Sequence, residues 1–90
     1  MQLRWTGAAV ADLERITNYL LEHTDLAPEL VRAIQDAPEA LLSFPYRGRP
    51  GKKAGTHELV MSRLPWIVVY RITGNTIQIL RILHGAQKWP

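Results

Sequence analysis

The sequence predicts an α+β domain with element order β-α-α-β-β-β: two helices packed on one face of a small, mostly antiparallel four-stranded sheet. Three observations carry this. Apolar residues recur at helical spacing through the first half of the 90-residue chain. After a Pro/Gly-rich loop the period changes from 3.6 to 2. A Gly74-Asn75 pair then separates two long apolar runs, as in a hairpin. Helices followed by hairpin-linked strands pack as one layer on another. The length supports one domain, residues 1–90.

Residues 2–5 alternate, with Leu3 and Trp5 on one side, and read as a short strand. Thr6 is a suitable N-cap for a helix from Ala8 to about His23. Ala9, Leu13, Ile16 and Leu20 form its apolar stripe, with Asp12, Arg15, Asn18 and Glu22 largely off it. Asp25 to Pro28 restarts the chain with a capping residue and a first-turn proline. The second helix, from about Pro28 to Ser43, should kink near Asp36–Ala37 or split in two. Pro38 removes one N–H and clashes with the preceding turn. Pro45 to Gly55 reads as a loop. Strands follow at Thr56–Ser62, Trp66–Thr73 and Thr76–His84. The tail from Gly85 is too short for a substantial helix. Trp5, Trp66 and Tyr70 are expected in the core. Trp89 either docks back or meets a partner. The sheet face away from the helices has no cover within the chain.

Hydrophobic residues make up 47% and charged residues 21%, which argues against disorder. The absence of cysteine excludes disulfides and thiol catalysis, and fits a reducing, cytoplasmic setting. No apolar run approaches a membrane span, and no signal peptide is expected. Net charge is +3, but unevenly spread. Residues 1–45 carry three cations against seven acids, and residues 46–90 carry eight against Glu58 alone. The acidic half should be solvated helix surface. The basic half calls for a negatively charged partner, nucleic acid or acidic protein.

Four stretches in order resemble the RelE/ParE superfamily, the toxins of bacterial type II toxin–antitoxin pairs. They are Trp5 to Leu13, Phe44-Pro45-Tyr46-Arg47-Gly48-Arg49-Pro50-Gly51, Gly55-Thr56-His57-Glu58-Leu59, and the final hairpin from Pro65-Trp66 to His84. The resemblance implies an antitoxin whose extended or helical, acidic or amphipathic segment wraps the toxin. It also implies one of two activities. RelE-like members cut mRNA on the ribosome without a metal, and ParE-like members inhibit DNA gyrase without nuclease chemistry. The first is the leading expectation, with gyrase inhibition as the alternative. No cofactor and no metal are expected.

Metal-free RNA cleavage needs a base for the 2′-hydroxyl, an acid for the leaving oxygen, and cations for the transition state. His84 and His57 are the acid/base candidates, since histidine titrates near neutrality. Glu58 is a further base, or an orienting group, or a structural partner of Arg71 or Arg81. Arg81 is the transition-state candidate, because an arginine in an apolar strand wants an anion or an acidic partner. Strict alternation separates Arg81 from His84, so a bulge or the strand end would have to unite them. Arg47, Arg49, Lys52 and Lys53 form a basic loop suited to phosphate backbone. Arg71 is a further nucleic-acid candidate, and Tyr46 is the aromatic placed to stack on a base. Two features depart from the RNA-cleaving branch. Trp66 and Ile67 stand where it carries an arginine, and no tyrosine follows Tyr70.

Overall fold

The computed structural model describes residues 1–85 together with Gln87 and Trp89. The reading of the tail therefore falls partly on Ala86, Lys88 and Pro90, outside the described residues. Strand β1 (Gln2–Trp5) ends at Thr6, whose hydroxyl does two things. It donates to the carbonyl of Ile79 at 2.8 Å, and it accepts the Ala9 amide at 3.2 Å. One residue thus pins the strand end to the sheet and caps helix α1 (Gly7–His23).

Helix α2 (Ala27–Asp36) begins with Pro28 in its first turn. Asp25 is not its cap. Leu26 holds that position, and its amide donates to the Thr24 hydroxyl at 3.1 Å. At Pro38 the backbone loses a donor and tightens into a 3₁₀ helix, Ala37–Leu42, the break the sequence implied.

Among the described residues five strands, not four, form the sheet, in order β1-β5-β4-β3-β2. The extra strand, β2 (Arg49–Pro50), lies inside the expected loop and pairs with β3 (His57–Val60). Two residues are too few for a period-2 signal, so punctuation hid it. The turn that returns the chain is closed by the Gly51 amide donating to Thr56 O at 2.8 Å, and by Gly55 at φ +80. Strands β4 (Trp66–Thr73) and β5 (Thr76–His84) have the bounds read from the sequence. All pairings are antiparallel except β1 with β5.

Ile34 and Leu41 from the helical layer meet Val68, Tyr70, Ile77, Ile79 and Ile82 from the sheet in one core. Tyr70 and Ile79 are fully buried, and Trp66 nearly so. Among the described residues no helix lies on the opposite face, yet Val69 and Leu83 are buried there, so that face is not bare. Among the described residues, no helix is long and apolar enough to cross a membrane.

Candidate functional site

A register shift between Val69 and Tyr70 leaves Leu80 unpaired on β5 as a bulge. Before it, Tyr70 opposes Ile79; after it, Val69 opposes Arg81 and Trp66 opposes His84. Directly opposed residues share a face, and neighbours along a strand alternate. The bulge therefore moves Arg81 off the core face and places His84 on the helix side. Both residues change sides together, so they remain on opposite faces. The sequence left open whether a bulge would unite them, and this one does not.

Arg81 is held by Asp12 of α1. Its Nε and one Nη donate to the two carboxylate oxygens at 2.7 and 2.9 Å. Asp12 also accepts the Ile82 amide at 2.9 Å and the guanidinium of Arg15. Beyond Trp5 strand β1 has ended, so the carboxylate takes the edge amide that a strand would otherwise have paired. Asp12 is 1% exposed, contrary to the expectation of solvated helix surface. Burial alone would raise its pKa. The hydrogen bonds from Arg81, the Ile82 amide and Arg15 outweigh that and hold it below the ordinary carboxylate value. Arg81 is correspondingly raised, chiefly by its bond to Asp12. Asp12 sits three residues after Ala9 and four before Ile16, at the margin of the stripe, so spacing alone does not decide its burial.

Three expected phosphate-binding cations do meet. Lys53, Arg71 and Arg81 line one open cavity of about 410 Å³, with Trp89 on its wall. Arg71 is oriented by its Nε–H, which donates to Gln78 Oε1 at 2.6 Å. Among the described residues, the lining contains no histidine and no carboxylate side chain.

The acid/base candidates lie elsewhere. His57 stacks on Tyr70 at 5.2 Å between centroids, and Tyr46 meets its ring edge-on at 5.7 Å. His84 lines a separate groove with Arg15, Tyr19 and Trp66, and its amide donates to Gln87 Oε1 at 2.7 Å. His57 opposes Tyr70, and His84 opposes Trp66 four residues away, about 13 Å along the strand. Glu58 pairs with Arg49 at 3.0 Å across β2 and β3, so one basic-loop cation is spent within the fold. Among the described residues, no three His, Cys, Asp or Glu side chains come together as a metal site would require.

The loop itself is fixed by a buried hydroxyl. Tyr70 Oη donates to Pro45 O at 2.7 Å and accepts the Gly48 amide at 2.9 Å. A Cβ at Gly48 would stand 2.6 Å from that oxygen and 2.9 Å from Glu58 O, so only glycine fits. Burial raises the Tyr70 pKa, and the Gly48 hydrogen bond opposes it.

With this geometry in hand, comparison with known proteins decides the family. The family model described as the ParE toxin of type II toxin–antitoxin system, parDE, matches residues 3–89. The chain belongs to this family of toxins. A putative toxin, Y4kP, of Sinorhizobium fredii is 38% identical over 99% of this chain and 93% of its own length. Toxin RelE2 of Caulobacter vibrioides is 32% identical over 96% and 97%. Among solved structures, a chain of the chromosomal ParDE toxin–antitoxin system from P. aeruginosa superposes with a TM-score of 0.87. It is 32% identical and covers 93% of this chain and 95% of its own. A chain of the RelBE2 complex from Mycobacterium tuberculosis superposes at 0.67, with 27% identity over 92% and 95%. The toxin fold is thus common to relatives whose names come from both branches.

Proposed function

We propose that this toxin arrests growth as a ParE-like inhibitor of DNA gyrase, acting through a protein-binding surface, and that a cognate antitoxin neutralises it. One observation carries the reading. The groups needed for RNA cleavage are dispersed, with His57 and His84 at different places on the helix side and Arg81 on the other face, clamped by Asp12. General acid–base catalysis requires its groups within hydrogen-bond reach of one scissile bond. The family match and the ParDE relative support the same reading.

Two observations favour the second reading, RelE-like mRNA cleavage on the ribosome: the likeness to toxin RelE2 and to a chain of the RelBE2 complex, and a basic cavity. The cavity of Lys53, Arg71 and Arg81 is suited to a phosphate. Among the described residues, its lining offers cations for charge stabilisation and no histidine or carboxylate side chain for proton transfer. On the gyrase reading, His57, His84 and Glu58 have packing and pairing roles, and Arg47 has a docking role.

Induction of the chain alone in a bacterial host tests this. The expected result is a DNA-damage response with bulk translation initially intact. Translation collapsing within minutes, with no damage response, would replace gyrase inhibition by mRNA cleavage.

A further inference from the structure

The loop after the 3₁₀ helix exposes what a folded domain ordinarily covers. Phe44 is 66% and Tyr46 73% exposed, and Val60 on the neighbouring strand is half-exposed. Two adjoining hollows run beneath them. One, of about 620 Å³, is formed by Ser43 to Arg47; the other, of about 200 Å³, lies among Ala40, Val60 and Met61. Arg47 lines both, so one cation stands at the boundary of the two hollows, together called the Phe44–Arg47 groove.

Exposed aromatics beside arginine are the composition of interface hot spots. The backbone that presents them does not need to be ordered on binding. Tyr70 already ties Pro45 and Gly48 into place, and His57 backs the Tyr46 ring. Such preorganisation removes much of the entropy cost of association. The charge around the groove is one-sided. Among the described residues, Arg47 is the charged side chain on the lining, no carboxylate lines it, and the neighbouring Arg49 is already paired with Glu58.

We propose that the Phe44–Arg47 groove is the surface by which the toxin grips its target, and that the occupant is an acidic protein segment bearing an apolar anchor. The anchor sits between Phe44, Tyr46 and Val60, and its carboxylates meet Arg47. Nucleic acid fits less well, because Ala40, Leu59, Val60 and Met61 offer nothing to a phosphodiester. This inference rests on the gyrase reading for the identity of the target and deepens it.

The test uses the full chain, a Phe44→Ser/Tyr46→Ser double variant, an Arg47→Glu variant, and Lys52→Glu as a charge control outside the groove. Unchanged circular dichroism establishes that each is folded. The readouts are binding to purified DNA gyrase, growth arrest on induction, binding to the antitoxin, and binding to a 20-nucleotide single strand. The expected result is gyrase binding at least tenfold weaker for both groove variants, with growth arrest lost and antitoxin binding kept. Lys52→Glu should change gyrase binding less than threefold. If wild type binds gyrase and the groove variants bind equally well, the inference fails and the gyrase reading stands. If wild type does not bind gyrase, that reading fails. Loss of arrest in the groove variants with oligonucleotide binding unchanged then still assigns the groove to a protein target, and retained arrest overturns it. Loss of antitoxin binding with arrest retained would make the groove the antitoxin's seat. Loss confined to the oligonucleotide would make it a nucleic-acid site. Either would overturn the proposal.

Discussion

The α1–β5 junction and the loop from Phe44 to Arg49 are each organised by one buried polar side chain, with opposite consequences for the cations nearby. At the junction, Asp12 is a charge, and it consumes charge: Arg81 and Arg15 both turn inward to it. At the loop, Tyr70 is a neutral hydroxyl that binds only backbone. Among the described residues Arg47 has no ion-pair partner and faces the groove. A cation near a neutral anchor stays available to a partner, while a cation near a buried carboxylate becomes part of the fold. The difference sorts the basic half of the sequence into structural and displayed charge.

Breaking the charged anchor should have the largest effect on stability. Asp12→Ala strands Arg81 and the Ile82 amide, and should cost about 3 kcal/mol in denaturant unfolding, the low end for a broken buried pair because Arg81 is partly exposed. A loss under 1 kcal/mol would show that the junction is solvated. Gly48→Ala comes next, at about 2 kcal/mol, since its Cβ meets Tyr70 and backbone at once. The loop should loosen with it, giving faster amide exchange at residues 45–50. Tyr70→Phe keeps the ring in the core but removes the hydroxyl from Pro45 O and Gly48 N–H, costing about 1–2 kcal/mol. It should weaken target binding more than it weakens the fold, because it frees the loop without altering Phe44 or Tyr46.

The smallest effect is visible only against pH. The Asp12 carboxyl is depressed in the folded state. Its stabilisation is therefore complete above the unfolded carboxylate value, and it is lost as pH falls below about 4 and through the lowered folded value. Asp12→Asn should flatten that acid limb of the stability curve. An unchanged slope would assign the limb to other carboxylates.

The fold was largely legible in the sequence because its long elements carry clear periods. The hairpin β4–β5 and helix α1 needed no tertiary information. Strand β2 was not legible, since Arg49–Pro50 is too short to alternate and its pairing depends on the turn at Gly51 to Thr56. The candidate site was less legible still. Which face Arg81 takes depends on one bulge residue, Leu80, that no spacing marks. Whether Asp12 is surface or core depends on where β1 stops. The sequence did state that an arginine among apolar strand residues needs an anion. It did not say that the anion lies 69 residues upstream in the same chain.

The most direct measurement is inhibition of gyrase supercoiling by the purified toxin, wild type and His57→Gln/His84→Gln, beside mRNA cleavage in a translating extract. A protein-binding toxin predicts that both proteins inhibit supercoiling to a similar extent and that neither cuts mRNA. Uninhibited supercoiling, with mRNA cleavage that the histidine variant loses, would contradict the account and return the histidines to the chemistry.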